Sequence, residues 1–212
     1  MKRINPTQEL PPNYHQIDQL DLRDNPGLAM IINLIGVGLL FGVAWLLVRS
    51  LSFLRPDYLS SENILVITGM REFWRGVLLL VLSLGLMILL SEGLRWLLFW
   101  VMTGQRPRLG FSGFYTYTSA PESFISRSAY LLIRLAPLVV ITVFGLAAVP
   151  IVPLNLVPGV LLLISLNIAA SVNDLIFVWW ILSKPEDVLI QDFSDRALVY
   201  HLSSSEADTE SS

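Results

Sequence analysis

Four long apolar runs constrain this chain more than any other feature. Residues 28–48, 76–102, 130–149 and 159–182 are each long enough to cross a bilayer, which takes about 20 apolar residues. Backbone in hydrocarbon must satisfy its hydrogen bonds internally, so each run is expected to be helical. The expected fold class is therefore an all-α membrane protein, a four-span transmembrane helical bundle with a small interfacial β-hairpin and short strands. The charge content agrees: only 15% of residues are charged, against about 25% in soluble domains. The first expected partner is the lipid bilayer. A net charge of −3 argues against nucleic acid. Cysteine is absent, which excludes disulfides and Cys-ligated metals.

The segments between the runs define the expected organisation. Residues 1–27 carry Pro6, Pro11, Pro12 and Pro26 with mixed charge, and read as a flexible polar N-terminal tail without the apolar core of a cleavable signal. Residues 28–200 form the membrane domain. Gly38 and Gly42 stand four apart in the first run, near Gly36, so one face there is small enough for close helix contact. Residues 49–75 are a polar connection, with a strand-like run at 63–68. Between the second and third runs, Phe111, Phe114, Tyr115 and Tyr117 make a β-prone stretch. It is expected as an interfacial hairpin or an edge that accepts another strand. Short strands are expected at 188–192 and 197–200, and residues 201–212 form an acidic, Ser-rich, disordered tail.

Ionisable residues inside the runs are the candidate site. A charge at mid-membrane costs roughly 2.5–3.5 kcal/mol on insertion scales, and marks a functional position by default. The second run is interrupted by Ser91-Glu92-Gly93-Leu94-Arg95. A helical His-Glu-x-x-His motif places two zinc ligands one turn apart with a general base between them. Here Glu92 keeps the base position, while Ser91 and Arg95 stand at the two ligand positions. Arg134 occupies the third run, and Asn167, Ser171 and Asp174 follow at i, i+4 and i+7 in the fourth, on one helical face. With a rise of about 1.5 Å per residue, Glu92 and Asp174 sit roughly 15 and 14 Å from the same side. Glu92, Arg95, Arg134 and Asp174 sum to zero charge, as a desolvated cluster must.

In this arrangement the chain resembles the putative zincin peptidase family of integral membrane proteins, which is similar to the site-2 proteases. The resemblance rests on the Glu92 helix, on Ser126-Arg127 leading to Leu135-Ala136-Pro137, on Asn167 with Ser171 and Asp174, and on Pro185 and Asp192. It implies a base at Glu92 and a third metal ligand at Asp174. The chain departs from the family at the ligand positions. Serine is a poor zinc ligand and arginine is not deprotonated at working pH. A catalytic zinc needs three protein ligands, so no metal and no cofactor are expected, and Glu92 is a vestigial base. Arg95 is expected to replace the metal's charge between Glu92 and Asp174.

The expected function is non-catalytic binding or regulation. The implied partner is a transmembrane or juxtamembrane segment of another protein. Two alternatives stand beside it: a residual intramembrane peptidase, and a small proton- or ion-pathway protein using Glu92 and Asp174. Placing both termini in the cytoplasm puts eight basic residues inside (Lys2, Arg3, Arg23, Arg106, Arg108, Arg127, Lys184, Arg196). Four then lie outside (Arg49, Arg55, Arg71, Arg75). The expected location is the plasma (inner) membrane, N-in and C-in.

Overall fold

The computed structural model describes residues 10–11, 13–22, 24–59, 69–104, 108–112, 115–119, 123–193 and 196–202. The strand-like run at 63–68 lies outside them, as do the turn of the aromatic hairpin and residues 203–212. The chain is mostly helical, and four helical stretches are long and apolar enough to cross a membrane: Pro26–Leu51, Met70–Thr103, Arg127–Ala148 and Leu154–Leu182. It is a membrane protein of four candidate spans, each close to the run read from the sequence. The second helix begins earlier than its apolar run and takes in Arg71, Glu72 and Arg75. A helix bonds its own backbone, so it need not stop where hydropathy does.

Two compact units make up the chain. The first comprises Met1–Met30, Leu94–Leu135 and Leu175–Ser212, and holds a four-stranded antiparallel sheet. Its strands are β1 (Tyr14–Asp21), β4 (Phe124–Ser126), β5 (Leu189–Asp192) and β6 (Arg196–Leu202), in the order β1-β6-β5-β4. The strands β2 (Arg108–Ser112) and β3 (Tyr115–Ser119) form a separate antiparallel pair, the hairpin expected from the aromatic stretch. Ile125, Leu189, Ile190, Ala197 and Val199 are almost wholly buried in the sheet, the β-branched and apolar content that favours strands.

Two tail assignments change. Residues 14–21 are strand β1 rather than flexible tail, paired with β6 from Tyr14 opposite Leu202 to Asp21 opposite Arg196. A bulge between Gln16 and Asp18 breaks the register. His201 and Leu202 likewise belong to β6, not to a disordered tail. The reason is non-local. β1 is polar and largely exposed, so its backbone bonds come from a strand some 180 residues away, and no local pattern announces them.

The second unit comprises Ile31–Gly93 and Ala136–Asp174. It contains most of α1 (Pro26–Leu54), the short α2 (Pro56–Leu59), the first part of α3 (Met70–Thr103), most of α4 (Arg127–Ala148) and all of α5 (Val157–Ala170). Its core packs Leu47, Leu51, Tyr58, Val149, Val157, Leu161 and Ile164. Of the glycines in the first run, Gly36 makes the close approach: a Cβ there would stand 3.1 Å from the Ala169 carbonyl oxygen. One at Gly38 or Gly42 would meet nothing within 4 Å. Arg55 closes this unit at its end, donating from Nη1 to the carbonyls of Val149 and Val152, both at 2.8 Å. Those carbonyls lie just past α4, where a helix leaves acceptors unpaired.

Candidate functional site

Ser91 and Arg95 are one turn apart on α3, so they occupy neighbouring positions on one face of that helix. Ser91 is buried, and its hydroxyl donates to the Ile88 carbonyl at 3.2 Å, with Met87 Sδ at 3.9 Å. Its proton is thus spent on its own helix, as serines within helices commonly do. Glu92 and Arg95 are half-buried. Glu92, Arg95 and Asp174 each have an interaction partner in the structure.

The fourth span is not one helix. α5 ends at Ala170 and α6 runs from Val172 to Leu182, with Ser171 between them. At the break the Ser171 N–H still reaches the Asn167 carbonyl at 3.0 Å, as in a continuing helix. Its hydroxyl donates to the same carbonyl at 2.7 Å, a back-bond of the kind that bends helices. Asp174 therefore stands in the first turn of α6, where a carboxylate faces the positive end of the helix dipole. Asn167, Ser171 and Asp174 are all buried, so the face they share looks into protein rather than lipid. Asn167 donates from Nδ2 to the carbonyls of Pro137 (3.3 Å) and Leu138 (3.4 Å) and to Thr142 Oγ1 (3.3 Å). Pro137 lies inside α4, where its ring disturbs the backbone ladder. Asn167 thus pins α5 to α4 at that point.

Depth alone grouped Arg134 with Glu92, Arg95 and Asp174. The structure gives its guanidinium another carboxylate: Nη2 donates to Asp192 Oδ1 at 2.6 Å. Both side chains are buried, 6% and 4% exposed. The guanidinium carbon also lies 4.5 Å from the Phe177 ring centre and 5.3 Å from that of Tyr130. Sequence reasoning missed this pairing, although both residues were in view. The only available signal was a buried arginine that requires a carboxylate, and an aspartate ending a strand.

Among the described residues, no group of three or more His, Asp or Glu side chains is arranged to hold a metal ion. The α3 donor set does not fit a zinc centre either. A neutral serine hydroxyl is not among the usual zinc ligands, and a guanidinium offers no lone pair.

A comparison with family models matches residues 84–189, half of the 212-residue chain, to the family described as "Putative zincin peptidase". The chain belongs to that family. The matched segment of this zincin-family protein starts in α3 seven residues before Ser91 and ends on the first residue of β5. It therefore contains the Ser91–Arg95 turn, Arg134, Asn167, Ser171 and Asp174, while Asp192 lies just beyond it. Comparisons with curated proteins and with solved structures return no match.

Proposed function

We propose that this chain is a non-catalytic member of its family, which holds a transmembrane or juxtamembrane segment of another protein without cutting it. The observation carrying this reading is the α3 turn. The first ligand position holds a buried serine bonded to its own backbone, and the second holds an arginine. Zinc hydrolysis at such a site requires an open coordination position on a metal held by three ligands. Arg95, three residues from Glu92 on the same helix, brings a permanent positive charge to the place a cation would take. Asp174 is buried as well, and without a metal it does not act as a ligand.

The test is elemental analysis of the detergent-purified protein, with His15 and His201 replaced by alanine so that the two histidines supply no ligand. The expected result is no stoichiometric zinc. About one zinc per chain, lost on Asp174→Ala, overturns the reading. The same proposal places both termini in the cytoplasm, with the protein in the plasma membrane. The distribution of Lys and Arg supports this orientation. Arg55, bonded to Val149 and Val152, has a structural duty and weighs little in that balance. Reporter fusions after Ser183 and within residues 150–158 check it, and an external signal from the Ser183 fusion sinks it.

A further inference from the structure

The chain has two histidines, and neither lies in an apolar run. The fold sets them against each other: in the antiparallel β1–β6 ladder, His15 is directly opposite His201. Opposed residues of such a ladder project from the same face, with Cβ atoms about 4.5–5.5 Å apart. Both can be reached from solvent, His15 being exposed and the His201 side chain 30% exposed. A third group completes the arrangement. His201 Nε2 lies 3.2 Å from Oδ1 of Asp187, on the connection from α6 to β5. A carboxylate at one ring nitrogen holds the proton there and leaves the lone pair on the other, which is how metal-bound histidines are usually oriented.

We infer that His15 and His201 form a two-imidazole site for a divalent transition-metal ion of the zinc, copper or nickel class, with Asp187 orienting His201. Imidazole nitrogen suits these ions, whereas calcium and magnesium take oxygen. Two nitrogens at about 2.0–2.1 Å from the ion leave further positions, which water fills. Asp18, the nearest acid along the β1 ladder, is bonded to Lys184 and does not compete for the ion. The two ligands come from opposite ends of the chain and meet only when β1 is docked on β6. The bound ion therefore favours the docked strand by mass action.

The experiment uses the full chain, purified in detergent without a histidine tag and stripped with a chelator. It is then titrated with Zn²⁺ by calorimetry and with Cu²⁺ by electron paramagnetic resonance. One ion per chain is expected, with two nitrogen ligands in the copper spectrum. His15→Ala or His201→Ala is expected to weaken binding at least about tenfold, and Asp187→Asn about 10–100-fold. His15→Gln, at an exposed position, serves as a second variant should His15→Ala disturb the strand. No saturable binding, a copper spectrum with a single nitrogen ligand, or an affinity unchanged by His15→Ala overturns the inference. A second zinc per chain, kept by both histidine variants and lost with Asp174→Ala, overturns the proposed function and not this inference, so the two failures can be told apart.

Discussion

Two ion pairs connect the sheet to helix segments of the same unit, and they are built differently. Arg134, within α4, meets Asp192 at the end of β5, both almost fully buried and with Phe177 and Tyr130 against the guanidinium. Lys184, just past α6, meets Asp18 on β1, with the two side chains 19% and 38% exposed and the Trp180 ring 5.2 Å from the ammonium. Coulomb attraction is the same law in both places, but the alternative differs. If the lysine pair breaks, water solvates both ions. If the arginine pair breaks, the remaining charge stays in a dry site, where a single unpaired ion is far more costly than the pair. The comparison teaches that burial, rather than the presence of an ion pair, sets how strongly a contact holds this sheet.

The strongest test of that difference is Arg134→Ala. It should cost about 3–5 kcal/mol, because it leaves Asp192 buried without its guanidinium. Thermal unfolding in detergent reads the loss. The double change Arg134→Met with Asp192→Leu should recover most of it, since a buried pair replaced by apolar residues is often neutral. A double variant no more stable than Arg134→Ala would show that the pair is not the source of the effect.

Asn167 gives an intermediate case, a buried polar pin without charge. Asn167→Ala removes its donors to Pro137, Leu138 and Thr142. Hydrogen bonds between membrane helices average about 0.6 kcal/mol and reach about 1.7, so a loss of about 1 kcal/mol is expected in the same assay. A loss as large as that of Arg134→Ala would erase the distinction between charged and neutral pins.

For the more exposed pair, Lys184→Ala should cost no more than about 1 kcal/mol. A double-mutant cycle with Asp18→Asn measures the coupling directly, and a value above about 2 kcal/mol would place this pair with the buried one.

The smallest effect is one of pH. Partial burial raises the Asp18 carboxyl, but the hydrogen bond from Lys184, the Gln19 backbone N–H and the Lys184 charge outweigh it, so its pKa lies below the ordinary 3.8. A depressed carboxylate contributes its stability fully above the unfolded value and loses it as pH falls through the folded one. The stability gap between the wild type and Asp18→Asn should therefore hold at neutral pH and close below about pH 4. A gap that widens on acidification would reverse the sign of the argument.

The sequence by itself determined the class and most of the helices, because membrane spans are specified by local composition. Some 20 apolar residues in a row leave the backbone no alternative to a helix. It also singled out Ser91, Glu92, Arg95, Arg134, Asn167, Ser171 and Asp174, since polar groups in such runs stand out one at a time. The hairpin of β2 and β3 was legible for the same reason, its two strands being neighbours in sequence. Tertiary structure decided what these groups pair with. That Arg134 takes Asp192 depends on β5 lying beside α4, and that residues 14–21 are a strand depends on β6. The break at Ser171, where α5 gives way to α6, is carried by no hydropathy pattern. His15 and His201 are 186 positions apart and face each other only through the β1–β6 register. Local composition sets which segments enter the membrane. Pairing between distant segments is set by packing and backbone bonding that exist only once the chain is folded.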